Sequence, residues 1–288
     1  MSSSIISPIF LSARTNAHVA PTLPAPITAI FLEPVAMHRA HYSSLSTYRS
    51  KYTMAMRGTI VNSKRKALIA IAIVGFVPTS SIIFTLALND NEFISQSYFI
   101  LCKLWIFLVP TYWFLVIEGN SVSWSEPNRE GLLAASISGI IMSSIIVAMW
   151  LIFSGTIDTD SMIGEMETTG LTDFRIYVAG MFYWIFLNSM LEEYVFRWFI
   201  TTKGIDLFGS ELGGIALSAC MFTLHHTIAL HLFGFLWWQT AIASFGLLSA
   251  AAIWSWLYLR YKSIWVCWLS HAICDIAVFG IGYLVIFG

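Results

Sequence analysis

Seven apolar stretches constrain this chain more than any other feature, because each is long enough to cross a lipid bilayer. They run roughly over 67–88, 95–117, 132–153, 176–201, 213–235, 241–259 and 264–287. About 20 consecutive apolar residues in a helix match the hydrocarbon thickness. Composition points the same way. Of the 288 residues, 57% are hydrophobic and 11% charged, with a mean hydropathy of +0.74; a soluble domain carries roughly 25% charged residues. The chain lacks the polar surface to cover a water-soluble globule. The expected fold is all-α, a polytopic transmembrane helical bundle of about seven spans. A net charge of -1 and the lack of a basic patch with interleaved aromatics argue against nucleic acid as a partner; the lipid bilayer is the partner that composition implies.

The charges between spans give an orientation. Lys64, Arg65 and Lys66 precede the first span, Arg129 lies between the second and third, Lys203 follows the fourth, and Arg260 and Lys262 follow the sixth. The opposite connections carry Asp90 and Glu92, then Asp158, Asp160, Glu165, Glu167 and Asp173, with Arg175 the one basic residue. By the positive-inside rule the N-terminus is expected in the cytosol and the C-terminus outside, and the expected location is the cell membrane.

Residues 1–60 read differently. They are rich in Ser, Pro and Ala, with Arg14, Arg39, Arg49, Lys51 and Arg57 against a single acid, Glu33. That is the composition of a disordered tail or transit segment, or of a start assigned upstream of Met54 or Met56. The expected organisation is this tail, then 61–174 with the first three spans, then 175–288 with the polar spans. The four cysteines lie scattered in apolar stretches and imply no disulfide framework.

From Ile176 to Leu191 there is no charge, and then LEEYVFRWF places two glutamates and an arginine inside the fourth span. Isolated charge in hydrocarbon is unfavourable, and intramembrane ionisable groups mark function by default. Beyond Lys103 in span two, the other groups of this kind are His225, His226 and His231 in span five, and His271 and Asp275 in span seven. A polar cavity among spans four, five and seven is therefore expected. At 1.5 Å per helical residue, Glu192 lies roughly 14 Å from the cytosolic end of its span, His271 about 11 Å and His226 about 20 Å, depths that let the three meet.

Helix geometry separates the roles. Adjacent residues point about 100° apart, so Glu192 and Glu193 cannot both face one site squarely. Glu193 and Arg197 stand at i, i+4, the spacing of a same-face ion pair, and are expected to be structural support. Glu192 is left as the group available for chemistry. His271 and Asp275 also stand at i, i+4, a spacing that can hold zinc, with His226 as a third ligand. A glutamate near two histidines and an aspartate can deprotonate water for attack on an amide carbonyl, with or without a metal. For His225 the expected role is packing or a supporting bond, and for Lys103 an unidentified partner or snorkelling.

Three motifs thus stand in order: Glu192-Glu193-x-x-x-Arg197, Phe222-x-x-x-His226 and His271-x-x-x-Asp275. Together they resemble the CAAX-protease and bacteriocin-processing (CPBP, or Abi) family of intramembrane endopeptidases, over about residues 175–288. The resemblance implies that Glu192 activates the attacking water and that His226 and His271 position that water or bind a metal. Asp275, where the family has Asn or Asp, would stabilise the oxyanion or complete the ligand set. A zinc ion held by Glu192, His226, His271 and Asp275 is one version; a glutamate-activated water without metal is the other. The implied substrate is a membrane-associated peptide or protein, lipidated or leader-like. Trp198, after the arginine where the family often has a small residue, would narrow the cavity. Two rival classes stay open: a non-proteolytic immunity or regulatory protein, and a proton-coupled transporter, which the lack of an inverted repeat disfavours.

Overall fold

The computed structural model describes residues 61–122 and 125–288. The expectation for residues 1–60 lies outside these. Among the described residues there is no strand, and seven helices are long and apolar enough to cross a membrane. Span 1 is Val61–Leu88, span 2 Glu92–Ile117, span 3 Arg129–Thr156, span 4 Phe174–Phe208, span 5 Glu211–Leu232, span 6 Trp237–Tyr261 and span 7 Ile264–Phe287. Polar side chains start four of these helices by accepting from backbone N–H groups left free in the first turn. Asn91 caps span 2, Asn128 span 3, Asp173 span 4 and Ser210 span 5. Gly209, at φ 74°, turns the chain between spans 4 and 5, a backbone region that glycine enters without a Cβ penalty.

The outward faces are apolar: Leu151 is 72% exposed, Leu187 65% and Phe245 73%. Exposed apolar side chains on this scale fit lipid rather than water. The inward faces pack through small and hydroxyl residues, as membrane helices do. A Cβ on Gly139 in span 3 would lie 3.0 Å from the Ile273 side chain and from the Ser270 carbonyl of span 7. Beside it, Ser138 and Ser270 share a 2.9 Å hydroxyl contact, and Ser143 donates to the Ile273 carbonyl at 2.9 Å. Spans 4 and 5 approach as closely at Gly204 and Gly214. A Cβ on Gly214 would sit 2.6 Å from the Thr201 carbonyl.

Two features depart from the sequence reading. The acidic connection after span 3 contains a short helix, Thr159–Thr168. Lys203, counted above as a loop charge, lies within span 4 and is buried. It bonds Glu118 at the end of span 2 and lies 3.2 Å from Asp206, so it adds less free positive charge to that side than its position in the sequence suggests.

Spans 1 and 2 each end in one π-helical stretch, Phe84–Leu88 and Trp113–Ile117, and span 4 is the most irregular of the described helices. Two stretches with π-helical turns, Tyr183–Asn188 and Glu193–Ile200, flank the single α-turn Ser189–Glu192. The Thr201 hydroxyl donates to the Phe196 carbonyl five residues back, at 2.9 Å, as a widened turn permits. Such turns occur frequently at functional sites. Here they flank Glu192.

Candidate active site

The polar side chains of spans 4, 5 and 7 meet, in two adjoining clusters. In the first, Glu192 is 7% exposed and faces span 5. Its Oε1 lies 3.9 Å from His225 Nε2. Ligand-type atoms of Glu192, His225 and His226 all lie within 4.8 Å of one another. Each imidazole is oriented by its own helix: His226 Nδ1 bonds the Phe222 carbonyl at 3.0 Å, and His225 Nδ1 the Met221 carbonyl at 3.4 Å. A backbone carbonyl only accepts, so each Nδ1 carries a proton, and in a neutral ring the Nε2 lone pair is then left for the site.

The second cluster centres on His271. Its Nδ1 donates to Glu193 Oε1 at 2.9 Å, and its Nε2 lies 3.5 Å from Asp275 Oδ1. Asp275 also accepts from the Ser189 hydroxyl through Oδ2. Glu193 gives its other oxygen to Arg197 Nε at 3.1 Å, and both side chains are fully buried. Arg197 reaches Ser218 at 3.4 Å and stacks over the Phe222 ring at 4.5 Å. Among the described residues its Nη2 has no hydrogen-bond partner; the aromatic faces of Phe222 and Trp254 partly offset that loss. Phe222 borders both clusters, its ring centre 4.4 Å from that of His226 and 5.8 Å from that of His271. Trp254 stacks on the far side of His271 at 4.1 Å.

The four residues singled out from sequence as chemical are therefore divided. Glu192 and His226 share one cluster, His271 and Asp275 the other, and His271 and Asp275 lie outside the group whose atoms fall within 4.8 Å. Glu193 is more than a partner for arginine, since it also holds His271. Three further residues touch the cluster residues. His225 was set aside because it lies 100° around the helix from His226, yet both rings reach Glu192. Asn188 and Ser189 carry no charge and escaped a search for ionisable groups. They precede Glu192 by four and three residues, positions where a same-face search would have found them. Trp198 does not enter either cluster: it stacks on Tyr194 at 4.8 Å and packs edge-on against Phe114 at 5.1 Å. A cavity of about 150 Å³ lies between spans 1 and 2, lined by residues including Ser80, Tyr98 and Cys102, rather than at the polar clusters.

Comparison with curated proteins and with solved structures gives no match. A family model does match: residues 174–277 fit the type II CAAX prenyl endopeptidase Rce1-like family, a stretch holding both clusters in full. Over spans 4 to 7 the resemblance to the CAAX-protease and bacteriocin-processing family is thus one of extended sequence as well as of motif.

Proposed function

We propose that this chain is an intramembrane endopeptidase in which Glu192 activates water for attack on a peptide carbonyl. The observation that carries the reading is the grouping of the Glu192 carboxylate with ring nitrogens of His225 and His226, all within 4.8 Å of one another. In this mechanism Glu192 removes a proton from a water oriented by the two imidazoles, and the oxygen bonds to the carbonyl carbon. The same carboxyl group then returns the proton to the leaving amine as the C–N bond breaks. His271 gives its Nδ1–H to Glu193, and its Nε2, whose 3.5 Å approach to Asp275 is loose, is the side that would turn a proton towards the developing oxyanion once substrate is bound. Ser189 fixes Asp275, and Glu193 with Arg197 fixes His271.

The substrate proposed is a membrane-associated protein or peptide with a lipidated end, consistent with the prenyl endopeptidase family that residues 174–277 match. The orientation proposed keeps the N-terminus in the cytosol. The test uses wild type and Glu192→Gln in lipid vesicles, incubated with prenylated and leader-type peptides and read by mass spectrometry. Cleavage lost in the variant, with folding intact, supports the reading, whereas equal cleavage by both removes Glu192 as the base. A regulatory protein would cleave nothing and keep its phenotype in Glu192→Gln; a transporter would lose proton-coupled flux instead.

A second reading rests on the donor set. Two imidazole nitrogens and a carboxylate fit zinc with its fourth position left to water, and metal-bound imidazoles characteristically donate their other N–H to a carbonyl or carboxylate, as both do here. His225, His226 and Glu192 would hold the ion, which would supply Lewis-acid activation of the water. His271 and Asp275 would stay outside that shell.

A further inference from the structure

We propose that Lys103, on span 2 and outside the matched region, positions the Glu192 carboxylate through the amide of Asn188. Lys103 Nζ donates to Asn188 Oδ1, and Asn188 Nδ2 donates to Glu192 Oε1 at 2.8 Å. Asn188 is 7% exposed and sits at the end of the first π-helical stretch. The chemistry of the end groups fixes how the amide must lie. An ammonium only donates and a carboxylate only accepts, so the amide oxygen faces Lys103 and its NH₂ faces Glu192. Flipped, it would place donor against donor and acceptor against acceptor. The lysine therefore locks the amide, and the amide locks one carboxylate oxygen.

The interposed residue matters for function. A lysine in direct contact would pair with the carboxylate and compete with the water it is meant to activate. Among the described residues Lys103 makes no ion pair within 4.0 Å. Its ammonium instead rests 5.0 Å from the centre of the Phe99 ring, an aromatic contact that suits a cation in a low-dielectric site. The relay aims Glu192 while leaving Oε2 unclaimed by Asn188. Lys103 and Asn188 are positioning residues, and their catalytic effect rests on the protease reading above.

The test uses the full chain in lipid vesicles with a prenylated reporter peptide, comparing Lys103→Met, Asn188→Leu, the double variant and Lys103→Arg. The expected result is a fall in kcat of about 10- to 100-fold for each single variant, the scale of a displaced catalytic group, with KM within about twofold of wild type. The double variant should be no worse than Asn188→Leu, since residues acting through one another are not additive, and Lys103→Arg should recover most of the rate. Should Lys103→Met not fold, Lys103→Gln serves in its place with the same expectation. A Lys103 variant with unchanged kcat, or additive losses in the double variant, overturns the proposal. Melting temperatures of Lys103→Met, Glu192→Gln and their combination give a second cycle that needs no activity. Coupling that disappears when Asn188→Leu is added supports the relay, and additivity throughout overturns it. If the wild type cleaves no peptide, the protease reading falls and this melting cycle alone decides the relay.

Discussion

Glu193 is shared between two partners on opposite sides: its Oε1 takes the Nδ1–H of His271 at 2.9 Å and its Oε2 the Nε–H of Arg197 at 3.1 Å. One buried carboxylate thus ties the candidate chemistry of span 7 to the structural ion pair of span 4. Removing it should cost both stability and rate. Glu193→Ala leaves Arg197 as a buried cation without its counter-ion, a change that costs about 3–5 kcal/mol. Thermal unfolding in detergent micelles should show the loss, and a double variant with Arg197→Met should recover part of it. A melting point unchanged in Glu193→Ala would mean that the pair is not holding the helices together.

His225 should matter as much as His226. Sequence reasoning gave His225 packing or a supporting bond, and the structure places its Nε2 3.9 Å from Glu192 Oε1. His225→Gln and His226→Gln are each expected to lower kcat by about 10²-fold or more, the lower end of what a positioned acid–base partner contributes. Full activity in His225→Gln would return that residue to packing.

Metal analysis separates the two versions of the mechanism. With glutamate-activated water alone, the purified protein keeps its cleavage rate after dialysis against a strong chelator and carries no stoichiometric zinc. With zinc held by Glu192, His225 and His226, the chelator abolishes cleavage and added zinc restores it. The bound zinc measured by mass spectrometry then falls in His225→Gln while His271→Gln retains it.

Gly214 offers a check on the fold itself. A Cβ there would meet the Thr201 carbonyl at 2.6 Å and Ile205 Cγ1 at 2.6 Å. The carbonyl cannot move aside without shifting span 4. Gly214→Val should therefore destabilise by about 1–3 kcal/mol, as overpacking of a close contact does. Gly246, where a Cβ would meet nothing within 4 Å, serves as the control, and Gly246→Ala should not lower the melting temperature.

The seven spans were legible because apolar length is a strong signal, and the structure places all of them within several residues of the expected bounds, span 4 running on to Phe208. The motif residues were legible because charge is rare in hydrocarbon and stands out wherever it occurs. Asn188 and Ser189 were hidden for the complementary reason: neutral polar side chains that bond to neighbouring helices are common in membrane spans and draw no attention until a charged group is found beside them. The short helix Thr159–Thr168 has only Met162, Ile163 and Met166 as an apolar stripe among its acids, too short a run for periodicity to show it. The π-helical turns of span 4 lay beyond a reading that assumed 100° per residue. They change which neighbours a side chain meets without changing how apolar the segment is.

Those turns also make span 4 sensitive to its length. Asn188 reaches towards span 2 through Lys103, and its neighbour Ser189 reaches towards span 7 through Asp275. Two adjacent residues therefore fasten three helices at one level. A single-residue deletion between Tyr183 and Leu187 would let the first widened turn relax to an ordinary α-turn, with Asn188 and everything after it kept in register. The same deletion between Asn188 and Glu192 would swing the carboxylate by about 100° relative to its amide partner. Of two neighbouring indels, the first should be tolerated and the second should not.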